Sequence, residues 1–447
     1  MIEYSEQIVD SLATFPFGAC NIRNLNRRVV LELIRFTPGG ISRAELARQI
    51  DLTRSTVSAI VAEFVDTELV REAESGPTTG GRRPILLEIN PRRGYVIGID
   101  IGATHVSLVA ADFLARVMHE MELPFDIRKG PQSCLSELNL HVQQLLDKAG
   151  LSQSQVLAIG VGVPGPVLAE SGIVTSPPIM PGWDGYPIRD YLQKLWGCPV
   201  SVNNDAELGA LGEWAFGAGR VKRHMAYIKV GSGIGAGLIL DGRIYRGATG
   251  LAGEIGHLTI QEHGPLCTCG NHGCLEALAG GAAIARNAIQ AVKAGRRTQL
   301  SSIKPVESIT ARDVGEAARL GDLVAQQIVA DAGGYLGIAI AGVINLSNPS
   351  MVIIGGGVAQ MGDLLLEPIR HVVRERCLQP AAQAVRITSA VLGRRSSSMG
   401  AVVQAIDTAL YELTEGSFFE KGGIKEDKSF ENQSQNILET NQAYAGV

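Results

Sequence analysis

Residues 253–276 read G-E-I-G-H-L-T-I-Q-E-H-G-P-L-C-T-C-G-N-H-G-C-L-E, and the rest of the chain is best read outward from this stretch. Three of the seven cysteines fall in it, as Cys267-x-Cys269-x4-Cys274, and His257 lies ten residues before the first of them. Thiolate sulfur and imidazole nitrogen are the ligands a tetrahedral zinc ion prefers, and three sulfurs with one nitrogen close a structural site. His263 and His272 also lie here, so counting alone leaves the fourth ligand open. Short Cys/His clusters in intracellular chains are more often metal sites than disulfides. The stretch also carries two carboxylates that the metal does not need. Glu254 stands three residues before His257, and Glu276 stands two after Cys274. Held rigidly, each can accept hydrogen bonds from two hydroxyls at once, which suits a polyol such as a sugar.

At 447 residues, 45% apolar and 19% charged, the chain is long enough for two or three domains with a substantial core, and it is too apolar to be disordered throughout. There is no run of about 18 apolar residues, and the N-terminus is acidic, so we expect neither a membrane span nor a secretory signal. An odd number of cysteines with a clustered trio fits a reducing cytoplasm. Charge is uneven. Residues 21–94 hold 12 Arg, no Lys and 9 acidic residues, a net of +3, within a chain of net −5. The remainder therefore carries −8, which points to a polyanionic partner for the first part only.

That first part has helical periodicity from Asn21 to Phe36, with Ile22, Leu25, Val29, Val30 and Leu33 on one face. A Thr-Pro-Gly-Gly stop follows, then a helix begun by Ser42 with Glu45 as its capping-box partner. A third helix is capped by Thr53 and turns Val57, Ile60, Val61 and Phe64 inward. Two short helices after a longer one predict a helix-turn-helix. Arg54, Ser55, Thr56 and Ser58 open the second of the pair, at the end that would enter a major groove. Two strands, Leu69–Ala73 and Ile85–Ile89, predict a β-hairpin wing. Its tip, G-G-R-R-P, sets Arg82 and Arg83 on a loop thin enough for a minor groove. Residues 1–20 are read as a loose arm and residues 90–94 as a hinge.

Beyond the hinge, strands run repeatedly into glycine turns. Tyr95–Asp100 leads into G-A-T-H, with Asp100, Gly102 and Thr104 suited to a phosphate and its Mg²⁺. Residues 227–237 lead into a second glycine loop with Gly231, Gly233 and Gly235. Residues 351–360 lead into a third, where Gly355 and Gly356 suit an adenine. With helices such as 323–343 between the strands, this predicts an α/β body with an ATP cleft. Beyond about residue 412 the chain is polar and aperiodic, and 413–447 are expected to be a disordered tail.

Taken together, these motifs resemble the ROK family (repressors, open reading frames and kinases) over about residues 21–410. The G-H…C-x-C-G-x-x-G-C-x-E motif at 256–276 is the most specific, supported by D-I-G-A-T at 100–104 and N-N-D-A at 203–206. The resemblance implies a two-lobed, actin/hexokinase-like (ribonuclease H-like) body over 91–412 behind a winged helix-turn-helix over 21–90. It implies His257, Cys267, Cys269 and Cys274 as ligands of a structural zinc. It implies a sugar pocket of Asn204, Asp205, Glu254, His257 and Glu276, with Asp205 the general base in members that are ATP- and Mg²⁺-dependent sugar kinases. Three positions depart from the family pattern: Ala103 for glycine, His105 for Lys or Asn, and Pro178 for Asn. Kinase members begin near the D-x-G strand, whereas regulators carry the extra winged domain. The leading expectation is therefore a sugar-responsive transcriptional regulator, a homodimer or homotetramer on an operator in the cytoplasm. A sugar kinase is the alternative.

Overall fold

The computed structural model describes residues 22–37, 39–73, 84–168, 171–175 and 177–414. The expected arm, the wing tip with Arg82 and Arg83, and the tail beyond Thr414 lie outside the described residues. Three helices form the front: α1 (Ile22–Phe36), α2 (Arg43–Gln49) and α3 (Arg54–Asp66). Ser42 caps α2 by accepting from the Glu45 N–H, and Thr53 caps α3 by accepting from the Thr56 N–H. Only half of the expected capping box forms at α2. The Glu45 carboxylate turns instead to Arg48 and Gln49, because a guanidinium in the same turn is the stronger donor. Val57, Ile60, Val61 and Phe64 are buried as expected.

The wing strands β2 (Val70–Ala73) and β3 (Leu86–Ile89) pair antiparallel. A two-residue strand, β1 (Ile41–Ser42), adds to the free edge of β3. At that length it has no periodicity for sequence reasoning to find.

The body contains two five-stranded sheets. In the first, β4 (Tyr95–Ile101), β5 (His105–Asp112) and β6 (Val117–Pro124) form an antiparallel meander. Strands β7 (Val156–Val163) and, after a two-stranded ribbon of β8 (Val167–Leu168) and β9 (Ile173–Val174), β10 (Val200–Asn204) then add in parallel beside β4. The second sheet repeats the plan. Its meander is β11 (Met225–Val230), β12 (Ile234–Leu240) and β13 (Arg243–Tyr245), and β14 (Met351–Gly355) and β15 (Arg386–Ser389) add in parallel beside β11. Two sheets of the same strand order make the expected two lobes. Helices α4 (Pro131–Ala149) and α5 (Ile188–Trp196) cover the first, and α6 (Asp205–Phe216) links the two. Helices α7 (Leu275–Ala279), α8 (Gly281–Lys293), α9 (Leu300–Ile303), α10 (Ala311–Arg319), α11 (Leu323–Ser347), α12 (Asp363–Arg376) and α13 (Gln379–Ala384) belong to the second. Helix α11 is long and apolar enough to cross a membrane by length and composition. Val324, Ile328, Leu336, Ile340 and Ile344 are instead buried in the second lobe's core, so core packing accounts for its apolarity.

The last helix, α14 (Ser396–Thr414), takes in the first two residues of the expected tail. It also packs against the winged domain beside the expected hinge at 90–94. Val402, Ile406, Ala409 and Leu410 of α14 belong to the same buried cluster as Val30, Leu33 and Ile34 of α1 and Leu87 of β3. Arg35 of α1 pairs with Asp407 at 2.5 Å, Arg93 Nε donates to the Thr67 carbonyl, and Asn90 Nδ2 donates to that of Glu68. The winged domain is docked on the body, because α1 and α14 bury apolar faces that neither could leave in water. Glycines permit α14 to lie this close to the first sheet. A Cβ at Gly98 would fall 2.3 Å from the Ser398 carbonyl oxygen, and one at Gly160 would fall 2.2 Å from that of Ala401.

Candidate functional site

The C-x-C segment builds its own cradle. Cys267 N–H donates to the Asn271 carbonyl, and Gly270 N–H closes a turn onto Cys267 O. Gly273, at φ +64°, has no room for a side chain, since a Cβ would lie 1.5 Å from the Gln261 carbonyl oxygen. Cys274 then stands at the start of α7, and a single 3₁₀ turn carries Ile255–His257. The result brings one ligand atom each from His257, Cys267, Cys269 and Cys274 within 4.8 Å of one another. Cys267 Sγ is 3.7 Å from His257 Nδ1, and Cys269 Sγ is 3.7 Å from Cys274 Sγ. None of these cysteines forms a disulfide. Donors about 2.0–2.3 Å from one tetrahedral ion sit at such mutual distances, so the four residues fit a metal. His272 is excluded from the set: its Nδ1 lies 3.2 Å from the Gly264 carbonyl oxygen, and its ring is exposed.

The same fold hangs the two carboxylates over a cleft between the lobes. Glu254 precedes the turn that carries His257, and Glu276 follows Cys274 in α7. Asn204, Asp205, Glu254, His257 and Glu276 all line this cleft, together with Gly102, Gly231, Gly233 and Gly235. Asp100, Gly355 and Gly356 are not among its lining residues, and Thr104 lines an adjoining pocket with Arg128 and Arg286. Several of these groups already have structural partners. Asn204 Oδ1 caps α6 by accepting from Ala206 and Glu207 N–H, and its Nδ2 donates to Gly165 O. Glu276 Oε2 accepts from the Ile234 N–H at 2.9 Å. Burial raises the Glu254 carboxyl above the usual carboxylate range, against the pull of His257.

The expected second phosphate loop is a hairpin turn. Only residues 231–233 connect β11 to β12, and Gly235 and Gly237 lie within β12. A Cβ at Gly237 would come 2.6 Å from the Ala206 carbonyl oxygen, so that glycine lets α6 cross the sheet closely. The turn's Gly231 carbonyl accepts from the Gly281 N–H at the start of α8. Gly355 likewise makes room for the Tyr227 side chain, whose hydroxyl oxygen a Cβ would meet at 2.1 Å.

Sequence reasoning missed Lys229. Its ammonium donates to both oxygens of Asp100 at 3.2 and 3.1 Å and to Ser397 Oγ at 3.0 Å, and it pairs with Asp205 Oδ2 at 2.9 Å. Burial works against the charged lysine, but Asp100 and Asp205 outweigh it and hold its pKa above the ordinary lysine value. Burial also raises the Asp205 carboxyl, with Lys229 pulling the other way. The available signal was one charge inside the otherwise apolar strand Met225–Val230, which is rarely tolerated without a partner. On the winged domain, Arg54, Ser55 and Ser58 are exposed and Thr56 is half-buried. The Ser55 and Thr56 hydroxyls bond Thr53 Oγ1. Arg27, Arg43, Arg48 and Arg71 are in ion pairs, while Arg54 has no ion-pair partner among the described residues.

Comparison with known proteins agrees with this architecture. Residues 96–408 match the ROK family, and residues 29–74 match the IclR helix-turn-helix domain. A xylose repressor of Caldicellulosiruptor bescii is 33% identical over 389 residues, covering 87% of this chain and 97% of its own. A crystal structure of a ROK family transcriptional regulator, a homologue of the Escherichia coli MLC protein, superposes with TM-score 0.77 at 29% identity, covering 88% of this chain and all of the other. A ROK family glucokinase from Streptomyces griseus, in complex with glucose and AMPPNP, gives TM-score 0.65 at 31% identity over 70% of this chain and all of the other. Fold and site thus define a DNA-binding transcriptional regulator built on a kinase-like body. The chain belongs to the ROK family.

Proposed function

We propose that this protein is a sugar-responsive repressor whose cleft occupancy governs its grip on DNA. The observation that carries this reading is α14. At its N-terminus Ser397 Oγ donates to the Asp205 carbonyl and accepts from Lys229, and Ser396 Oγ donates to the buried Glu213. Near its other end Asp407 and Leu410 meet the winged domain. One rigid element of 19 residues, about 28 Å long, therefore touches both the cleft and the DNA reader. A sugar that binds better to one lobe closure than another would move α14 and shift the winged domain between states, as population shift requires.

In this reading Glu254, Glu276, Asn204, Asp205 and His257 hold the sugar hydroxyls. The metal is zinc, which as a closed four-ligand ion brings no reactive group and fixes Glu254 and Glu276 at the cleft wall. Arg54 and its neighbours meet the major groove, and two copies read a two-fold symmetric operator in the cytoplasm. The xylose repressor and the glucose-bound glucokinase among its relatives point to a pentose or a hexose.

The test is binding to the protein's own promoter, against scrambled DNA, over a range of salt with D-xylose, D-glucose or N-acetylglucosamine. Promoter affinity should fall steeply with salt and change with one of the sugars. Glu254→Gln should erase the sugar response and leave sugar-free promoter affinity as it was. Equal affinity for promoter and scrambled DNA would overturn the reading.

A further inference from the structure

We propose that the Lys229 ammonium is a built-in cation that takes the place of a divalent metal between Asp100 and Asp205, so that the cleft holds its ligand without transferring phosphate. The inference concerns the cleft alone and stands whether or not the chain binds DNA.

Magnesium demands six oxygens at about 2.0–2.1 Å and in phosphate-transfer sites is held by one or two carboxylates. The two carboxylates here stand side by side at the carboxyl ends of β4 and β10 in the first lobe, and they already share an ammonium that comes from the second. It lies 2.9–3.2 Å from three of their oxygens, the separation of a charge-assisted hydrogen bond. Both Asp100 oxygens are engaged by the ammonium, so a metal would have to share that carboxylate with it. The lysine side chain is 16% exposed and that of Asp100 is 3% exposed. Ser397 Oγ takes a further ammonium contact, so the three protons of Nζ have oxygen partners on three sides. A metal would have to enter beside a fixed positive charge.

The lysine also answers for Asp205. A carboxylate that must take a proton from a sugar hydroxyl works less well while it accepts from a permanent cation. Lys229 is fixed by the fold, since it is the next-to-last residue of β11 and pairs in register with Gly235 and Gly355. Both neighbours are glycine, which leaves the stem an unobstructed path toward the first lobe.

The experiment counts divalent metal on the zinc-loaded full-length chain. Mn²⁺ binding is followed by electron paramagnetic resonance, with Mg²⁺ as competitor, for the wild type and for Lys229→Met. Thermal melts of both are recorded with and without Mn²⁺. We expect no Mn²⁺ on the wild type and one per chain on Lys229→Met, displaced by Mg²⁺. We also expect Mn²⁺ to raise the melting temperature of the variant alone. If Lys229→Met is unfolded without metal, its recovery on adding Mn²⁺ supports the proposal, and failure to recover overturns it. A folded variant that binds no Mn²⁺ overturns it as well. So does a Mg²⁺-displaceable Mn²⁺ on the wild type, or wild-type turnover of Mg·ATP with D-glucose or D-xylose above that of Asp205→Asn.

Discussion

The two lobes share one strand order, yet they bring opposite charges to the cleft. Asp100 is the next-to-last residue of β4, and Lys229 is the next-to-last residue of β11, the matching strand of the second sheet. Each precedes a short hairpin turn at the cleft, 102–104 in one lobe and 231–233 in the other. The frame is repeated but the chemistry is not, and the two unlike residues meet in an ion pair that closes the lobes on each other. The lobes also brace their cleft walls differently. The first relies on apolar packing, with Trp183 fully buried and its Nε1 donating to the Ile127 carbonyl. The second relies on the His/Cys cluster. A duplicated fold can therefore be tuned lobe by lobe, and each difference can be attacked separately.

The largest effect should come from breaking the charge pair. Lys229→Met leaves two buried carboxylates facing each other, and loss of one partner from a buried pair costs about 3–5 kcal/mol. Denaturant unfolding in metal-free buffer should show that loss, with Asp100→Asn milder because it leaves Asp205 and Lys229 paired. Metal removal comes next and should act on the second lobe. A strong chelator should lower the melting temperature and abolish sugar binding by calorimetry, while the Trp183 side of the cleft keeps its near-ultraviolet signal. An unchanged sugar affinity after verified metal loss would separate the cluster from the cleft. Gly160→Ala, which presses a methyl against α14, should cost about 1–3 kcal/mol as overpacking and uncouple the winged domain from the first lobe. Limited proteolysis near residues 90–94 would report that. The smallest effect should be Asp407→Ala. Asp407 is itself 43% exposed, and the buried Arg35 keeps Glu32 beside it, so the stability loss should stay near about 1 kcal/mol. The sugar-induced change in promoter affinity should shrink nonetheless.

Much of the site was legible because its chemistry is local. The cluster ligands Cys267, Cys269 and Cys274 lie within eight residues, and thiolates so spaced need only tight turns to converge. The caps at Ser42 and Thr53 are equally short-range, as is the inner face of α3. The glycines were harder to read for the opposite reason. Gly235 lines the cleft, whereas Gly237 and Gly355 make room for α6 and the Tyr227 side chain, and a sequence does not say what presses on a glycine.

The amino-acid sequence by itself determined the helix-turn-helix, the α/β body and the three clustered cysteines, since each rests on periodicity or spacing over a few residues, whereas spacing left His257, His263 and His272 open as the fourth ligand and the fold brings His257 to the cysteines. Only the tertiary structure decided that Lys229 meets Asp100, 129 residues away, and that Asp407 meets Arg35, 372 residues away. Such pairs are selected when whole elements pack, and the burial of apolar faces on α1, α14 and the two sheets supplies the free energy that brings them together.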